Sequence, residues 1–231
     1  MLLVEVPYLG TLIRGLEFDT IYHEHLSYLS IHPLARLCGQ YGFEVTDAEP
    51  VPLHGGSLLF SIQRAGTRRT NPRVARLVQR EQRAALSLPG TLQAFSRRVV
   101  RWKSAFESCI ERLHRSGARM VGYGAAAKAN TLLNFCPSAA ARLACVLDRS
   151  PHKQGLFTPG AHVPVVSPDG WEPNGATHML ITAWNFKDEI MRQMSWFAGQ
   201  GGRFVIPIPR PRIVSGQARA RITNHQIPIT K

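Results

Sequence analysis

Apolar residues recur at two spacings along the chain, in short runs or alternations and at every third or fourth position of longer stretches, and the exchange between them sets out a mixed α/β order. Residues 2–6 form a short apolar run that ends at Pro7, the pattern of a buried strand leading into a loop. Across 33–41, Leu34, Leu37, Cys38 and Tyr41 share one helical face, and Gly42 is a natural stop. Segments 43–47 and 57–63 read as two strands, joined by a loop that holds Pro50, Pro52, Gly55 and Gly56. Thr70-Asn71-Pro72 supplies a cap and a first-turn proline for a helix to about residue 87, where Leu88-Pro89-Gly90 breaks it. Leu92, Phe95, Val99, Trp102, Phe106, Ile110 and Leu113 then mark a long helix over 91–116. These two helices predict a helical hairpin that connects two α/β units.

The second unit opens with a strand at 120–121, a tight Gly122-Tyr123-Gly124 turn and a helix over 125–135. Strands follow at 144–147, 163–166 and 178–182, then a helix over 186–198 and a last strand at 203–206, before Pro207 and Pro209. This alternation predicts a Rossmann-like parallel sheet with helices on both faces. The division is 1–66, a basic connector over 67–117, an α/β domain over 118–214 expected to fold independently, and a tail over 215–231 without periodicity.

A length of 231 residues with 44% hydrophobic composition fits one large or two small soluble domains. No apolar run approaches the roughly 20 residues of a membrane helix. The first residues carry no basic lead segment, so a cytoplasmic protein is expected. Cys38, Cys109, Cys136 and Cys145 show no metal-binding or disulfide spacing and read as free thiols, with no metal site in this chain. The net charge of +13 raises nucleic acid as a partner. From Arg64 to Arg119, however, 14 basic residues stand against three acidic ones, supplying +11 of that charge. The aromatics of this stretch lie at helical spacing among apolar neighbours. A solvated, arginine-rich helical face is the better reading, and nucleic acid is not expected.

Three clusters can carry chemistry. Phe18-Asp19-Thr20-Ile21-Tyr22-His23-Glu24-His25 gathers two imidazoles, a phenol and two carboxylates, suited to acid/base work, to a metal, or to a polar surface loop. His54-Gly55-Gly56-Ser57 lets a ligand approach the backbone closely, or is a turn that requires positive φ. Gly122-Tyr123-Gly124-Ala125-Ala126-Ala127-Lys128 joins a strand to a helix, and Asp148 closes the next strand 24 residues after Gly124. That arrangement suits a phosphate or sugar nucleotide, an NAD-type dinucleotide, or a bare βα turn. Asp148-Arg149-Ser150-Pro151-His152-Lys153-Gln154-Gly155 and Ala183-Trp184-Asn185-Phe186 also follow strand ends, where ligand loops sit.

Taken together and in this order, these motifs resemble the sugar C-methyltransferases of deoxysugar biosynthesis, over about residues 1–214. The resemblance implies a three-part plan: a zinc-binding N-terminal region, an S-adenosylmethionine-binding class I methyltransferase core, and a C-terminal α/β domain that helps hold a nucleotide sugar. On that plan residues 2–6 are the fifth core strand, followed by the core's last helix and last two strands. The zinc cysteines, the first four core strands and the glycine-rich adenosylmethionine loop are not in the sequence, which therefore reads as a C-terminal portion. The implied reaction takes a proton from a carbon beside a keto group and transfers a methyl group to the resulting enolate. His25 matches the base, with Tyr22 and Glu24 positioning it or stabilising the oxyanion. Lys128 with Gly122 and Gly124 matches a pyrophosphate site. His54, Gly55, Ser57, Asn130, Asp148, Lys153 and Asn185 are the further candidate substrate residues. Leu59 and Ala129 replace the Arg and Gly common in relatives, a departure that concerns sugar contacts. An adenosylmethionine-binding half supplied in trans is the implied partner; the alternative is a non-catalytic sugar-nucleotide-binding fragment.

Overall fold

The computed structural model describes residues 1–53 and 55–215, so His54 and the expected tail beyond 215 lie outside the described residues. The first unit contains β1 (Leu2–Pro7), α1 (Leu9–Gly15), a 3-10 turn (Phe18–Thr20), α2 (Ile31–Gln40), β2 (Phe43–Val51) and β3 (Ser57–Arg64). Its sheet runs β1-β3-β2 with both pairings antiparallel. Alternating apolar residues of the central strand, Leu58, Phe60 and Ile62, are buried, as period-two patterning requires. β2 continues past the expected end, through Pro50 to Val51. Being an edge strand, it tolerates a residue with no N–H to donate.

Two helices follow, and they serve different cores. In α3 (Pro72–Arg83) the Asn71 side chain accepts the Arg73 N–H at 2.9 Å, and Val74 and Leu77 are buried against the first unit. Ala85, at φ 50°, ends this run before the expected break. In α4 (Pro89–Arg115) the stripe of Trp102, Phe106, Cys109, Ile110 and Leu113 is buried in the core of the second unit.

That unit contains β4 (Met120–Tyr123), α5 (Ala127–Phe135), α6 (Pro137–Ala140), β5 (Leu143–Leu147), β6 (Val165–Val166), β7 (His178–Ile181), α7 (Lys187–Gln193), α8 (Ser195–Gly199), β8 (Arg203–Ile206) and β9 (Arg212–Ser215). Its sheet runs β6-β5-β4-β7-β8-β9 and is parallel except for β9, which pairs antiparallel with β8. This is a Rossmann-like α/β sheet whose order reverses beside β4, opening a crevice at the carboxyl ends of β4 and β7. Two expectations need correction. The helix foreseen over 186–198 is a 3-10 turn (Trp184–Phe186) followed by α7 and α8, which meet at Met194 with ψ at 24°. The strand β9, beyond the last strand the sequence pattern predicts, is defined by its pairing with β8.

Leu16 and Phe18 belong to the first unit in sequence but to the second core in space. The Phe18 ring centroid lies 4.7 Å from that of Trp102 and 5.3 Å from that of Phe135. The 3-10 turn is thereby wedged between α4 and α5, which carries the polar segment that follows it to the second unit.

Candidate functional site

The 3-10 turn explains how the histidine loop is held. Thr20 Oγ1 donates to the Glu17 carbonyl at 2.7 Å, fixing the turn, and the Thr20 carbonyl faces His25 Nδ1 at 2.8 Å. A carbonyl can only accept, so Nδ1 carries the hydrogen in this contact and the neutral ring keeps its lone pair on Nε2. Tyr22 Oη stands 3.3 Å from that Nε2, and the two rings lie 4.4 Å apart. Tyr22 is partly buried, and burial, with the Glu24 charge adding to it, raises its phenol above the usual range. Glu24 itself is exposed and makes no hydrogen bond to His25 among the described residues. Of the two expected neighbours, only Tyr22 touches His25.

Lys128 is one residue into α5 and 8% exposed. Its Nζ donates to Asn185 Oδ1 at 3.0 Å and sits 4.8 Å from the Trp184 ring centroid. Burial lowers its ammonium pKa, while the charges of Asp19 and Glu17 act to raise it. Trp184 Nε1–H in turn donates to Asp19 Oδ2 at 2.6 Å, across 165 residues of sequence. Asp19 is completely buried and its Oδ1 meets no donor among the described residues. Burial pushes its carboxyl up to about 6 against the opposing effects of the Trp184 bond and Lys128. Glu17 is pushed up to about 7, by burial first and by Asp19 second.

Gly55, at φ 102°, closes this group: a side chain there would begin 2.9 Å from Glu17 Oε2, so only glycine fits both the turn and the contact. Gly55 also lines a cleft of 390 Å³ between the units, together with Leu53, Trp184, Asn185 and Arg212. Ser57 is buried and donates to the Leu53 carbonyl at 3.3 Å, shaping this loop. A larger groove of 750 Å³ on α2 and β1, lined by Leu37 and Phe43 among others, is mainly apolar and brings none of these groups together.

Asp148 and Lys153 form a separate arrangement. Asp148 Oδ2 accepts the Ala125 N–H at 2.7 Å and Oδ1 accepts the Ser150 N–H at 2.8 Å. Lys153 Nζ donates to the Ala125 carbonyl at 2.8 Å. Both side chains are thus engaged in pinning the loops after β4 and β5. An Asp148 committed to two backbone amides is not free to take a ribose hydroxyl, which weighs against a dinucleotide site. Gly122 lies within β4 against Val146, and Gly124, at φ 100°, makes the turn against Ala183. Asn130 Oδ1 on α5 is buried without a partner among the described residues.

The structure therefore gathers Lys128, Asn185 and Gly55 around three residues not chosen from the sequence, Glu17, Asp19 and Trp184. The last two stood within noted motifs, but only the fold shows that they meet. Among the described residues no three His, Cys, Asp or Glu side chains are grouped to hold a metal, and no helix is long and apolar enough to cross a membrane.

Comparison with known proteins bears on the same residues. Residues 52–209 match the family described as the C-methyltransferase C-terminal domain. The chain is 32% identical over 216 residues to C-methyltransferase NovU of Streptomyces niveus, an alignment covering 93% of this chain and 51% of that protein. The chain thus spans about half the length of the curated relative it matches. Family match, whole-chain similarity and a Rossmann-like sheet agree: this chain belongs to the C-methyltransferases and carries their C-terminal domain.

Proposed function

We propose that the chain forms the substrate-facing part of an S-adenosylmethionine-dependent C-methyltransferase acting on a nucleotide-linked keto-deoxysugar in the cytoplasm. The four cysteines, all unpaired, fit such a reducing compartment. The observation that carries the reading is the His25 hydrogen-bonding pattern. With Nδ1–H held by the Thr20 carbonyl, Nε2 is the free base, suited to remove a proton from the carbon beside the keto group. Carbon acids release protons reluctantly, so a preset tautomer and a fixed ring lower the barrier before substrate arrives. Substrate entering the site displaces the Tyr22 hydroxyl from Nε2, which frees the lone pair to take the carbon-bound proton and lets the phenol donate to the developing enolate oxygen. Lys128 and Asn185 near one side of the inter-unit cleft and Arg212 on another offer donors to the pyrophosphate, with Gly55, Ser57, Asp148 and Lys153 shaping nearby loops and His54 and Asn130 kept as further substrate candidates.

The family's methyl donor does not fit the described residues. Gly10, the glycine after β1, is covered by the Tyr8 ring, and the Gly55–Gly56 turn faces Glu17 and Thr11, so neither of these two glycine segments is open to the donor. We place the donor on an adenosylmethionine-binding half that meets this chain. Reconstitution with such a half tests the proposal. His25→Ala is expected to lower methyl transfer to a keto-deoxysugar nucleotide by roughly 10²- to 10⁴-fold, with the calorimetric affinity for thymidine diphosphate retained. Undiminished transfer by the variant would refute His25 as the base.

A further inference from the structure

We infer that the Asp19–Trp184 hydrogen bond is a positioning device, through which the loop after β7 in the second unit sets the orientation and tautomer of His25. The inference rests on reading His25 as the base. Asp19 is covalently adjacent to Thr20, whose carbonyl anchors His25 Nδ1 at 2.8 Å. Trp184 is adjacent to Asn185, which holds Lys128 Nζ at 3.0 Å. One buried bond of 2.6 Å therefore joins the residue beside the imidazole's anchor to the residue beside the lysine's anchor. A buried carboxylate is costly to leave unpaired. Asp19 Oδ1 meets no donor among the described residues, so its hydrogen-bonded compensation comes from the indole on Oδ2. The remaining compensation is the Lys128 charge together with the nearby backbone amides of Asp19 and Thr20. The 3-10 turn is thus held to the indole, and a displacement of Asn185 or Lys128 by a bound pyrophosphate is passed through Trp184 to Thr20 and the imidazole.

Were this bond only a core contact, losing it would lower stability and leave the His25 ring nitrogens as they are. Nitrogen-15 NMR of the histidine rings in the intact chain separates the cases. The wild type is expected to show a single Nδ1–H tautomer at His25. Trp184→Phe keeps a ring and loses the N–H, and its His25 signals are expected to move toward a mixture of tautomers. Trp184→His restores a ring N–H and should return them toward the wild-type pattern. His178, whose Nδ1 contacts Thr177 Oγ1 at the opposite end of the sheet, is the internal control and should not move. A folded Trp184→Phe with wild-type His25 signals overturns the inference. Where that variant does not fold, thymidine diphosphate added to the wild type decides: the Trp184 indole and His25 signals should shift together, and an indole shift alone overturns it. Absence of any diphosphate binding would overturn the nucleotide-sugar reading and, where the variant does not fold, the relay to His25 with it; a folded Trp184→Phe tests the relay by itself.

Discussion

Glu17 and Asp19 are removed from water two residues apart, with one buried lysine nearby to offset both charges. Burial raises the Glu17 carboxyl from 4.5 to about 7 and that of Asp19 from 3.8 to about 6. An acid raised in this way keeps its proton in the folded chain when the unfolded chain has already released it. Folding stability therefore falls as pH climbs from about 4 to about 7 and stays lower above that range. Replacing Glu17 by Gln removes the charge and keeps the shape. The variant is expected to be more stable than wild type at about pH 8, by on the order of 2 kcal/mol, and close to wild type at about pH 5. Urea unfolding at the two pH values measures this, and an equal difference at both would show that Glu17 holds no extra proton when folded.

Among the elements, those with a strong local signal were legible in the sequence. The stripe of α4 carries Phe95, Trp102 and Phe106 at helical spacing, and Asn71-Pro72 marks the start of α3. Elements whose limits depend on distant partners were not. α2 begins two residues before the expected position because the Glu81 carboxylate of α3 accepts the Ile31 and His32 N–H groups at 2.8 and 3.0 Å, a cap supplied from 50 residues away. β9 is four residues long and follows Pro207, Pro209 and Pro211, so only its pairing with β8 defines it. The site divides similarly. His25, Tyr22, Lys128 and Asn185 stood out as polar residues at strand ends or in dense polar runs, whereas the pairing of Asp19 with Trp184 has no local signature. Since α3 is capped at its beginning by Asn71 and caps α2 through Glu81 in its last turn, its placement affects two helices. Asn71→Ala is expected to lower stability by about 1 kcal/mol, and Glu81→Ala by more because it leaves the buried Ile31 amide without an acceptor and removes the bond to the His32 amide as well. Thermal unfolding of the two variants ranks them, and the reverse order would refute the shared cap.

At the scale of the molecule, α4 works as a spine between two cores. Near its beginning, Arg98 donates to the Ile13 and Arg14 carbonyls at 2.8 and 3.2 Å, satisfying the last turn of α1 with a cation where the helix dipole favours one. Farther along, Trp102 donates to the Pro207 carbonyl at 2.9 Å and packs on Phe18. The sheet of the second unit closes within 120–215, but its core extends to the α4 stripe. Trp102, Phe106, Ile110 and Leu113 each contribute about 1.5–3 kcal/mol by burial, together comparable with the total stability of roughly 5–15 kcal/mol expected of a domain. A fragment of residues 118–214 leaves their partners in water, whereas one of 89–215 keeps them covered apart from the contacts made by Leu16 and Phe18. The longer fragment should therefore unfold in one cooperative transition with native near-ultraviolet dichroism, and the shorter should melt at a much lower temperature or show no transition. Equal melting temperatures would mean that α4 belongs to the connector alone and that the second core ends at Met120.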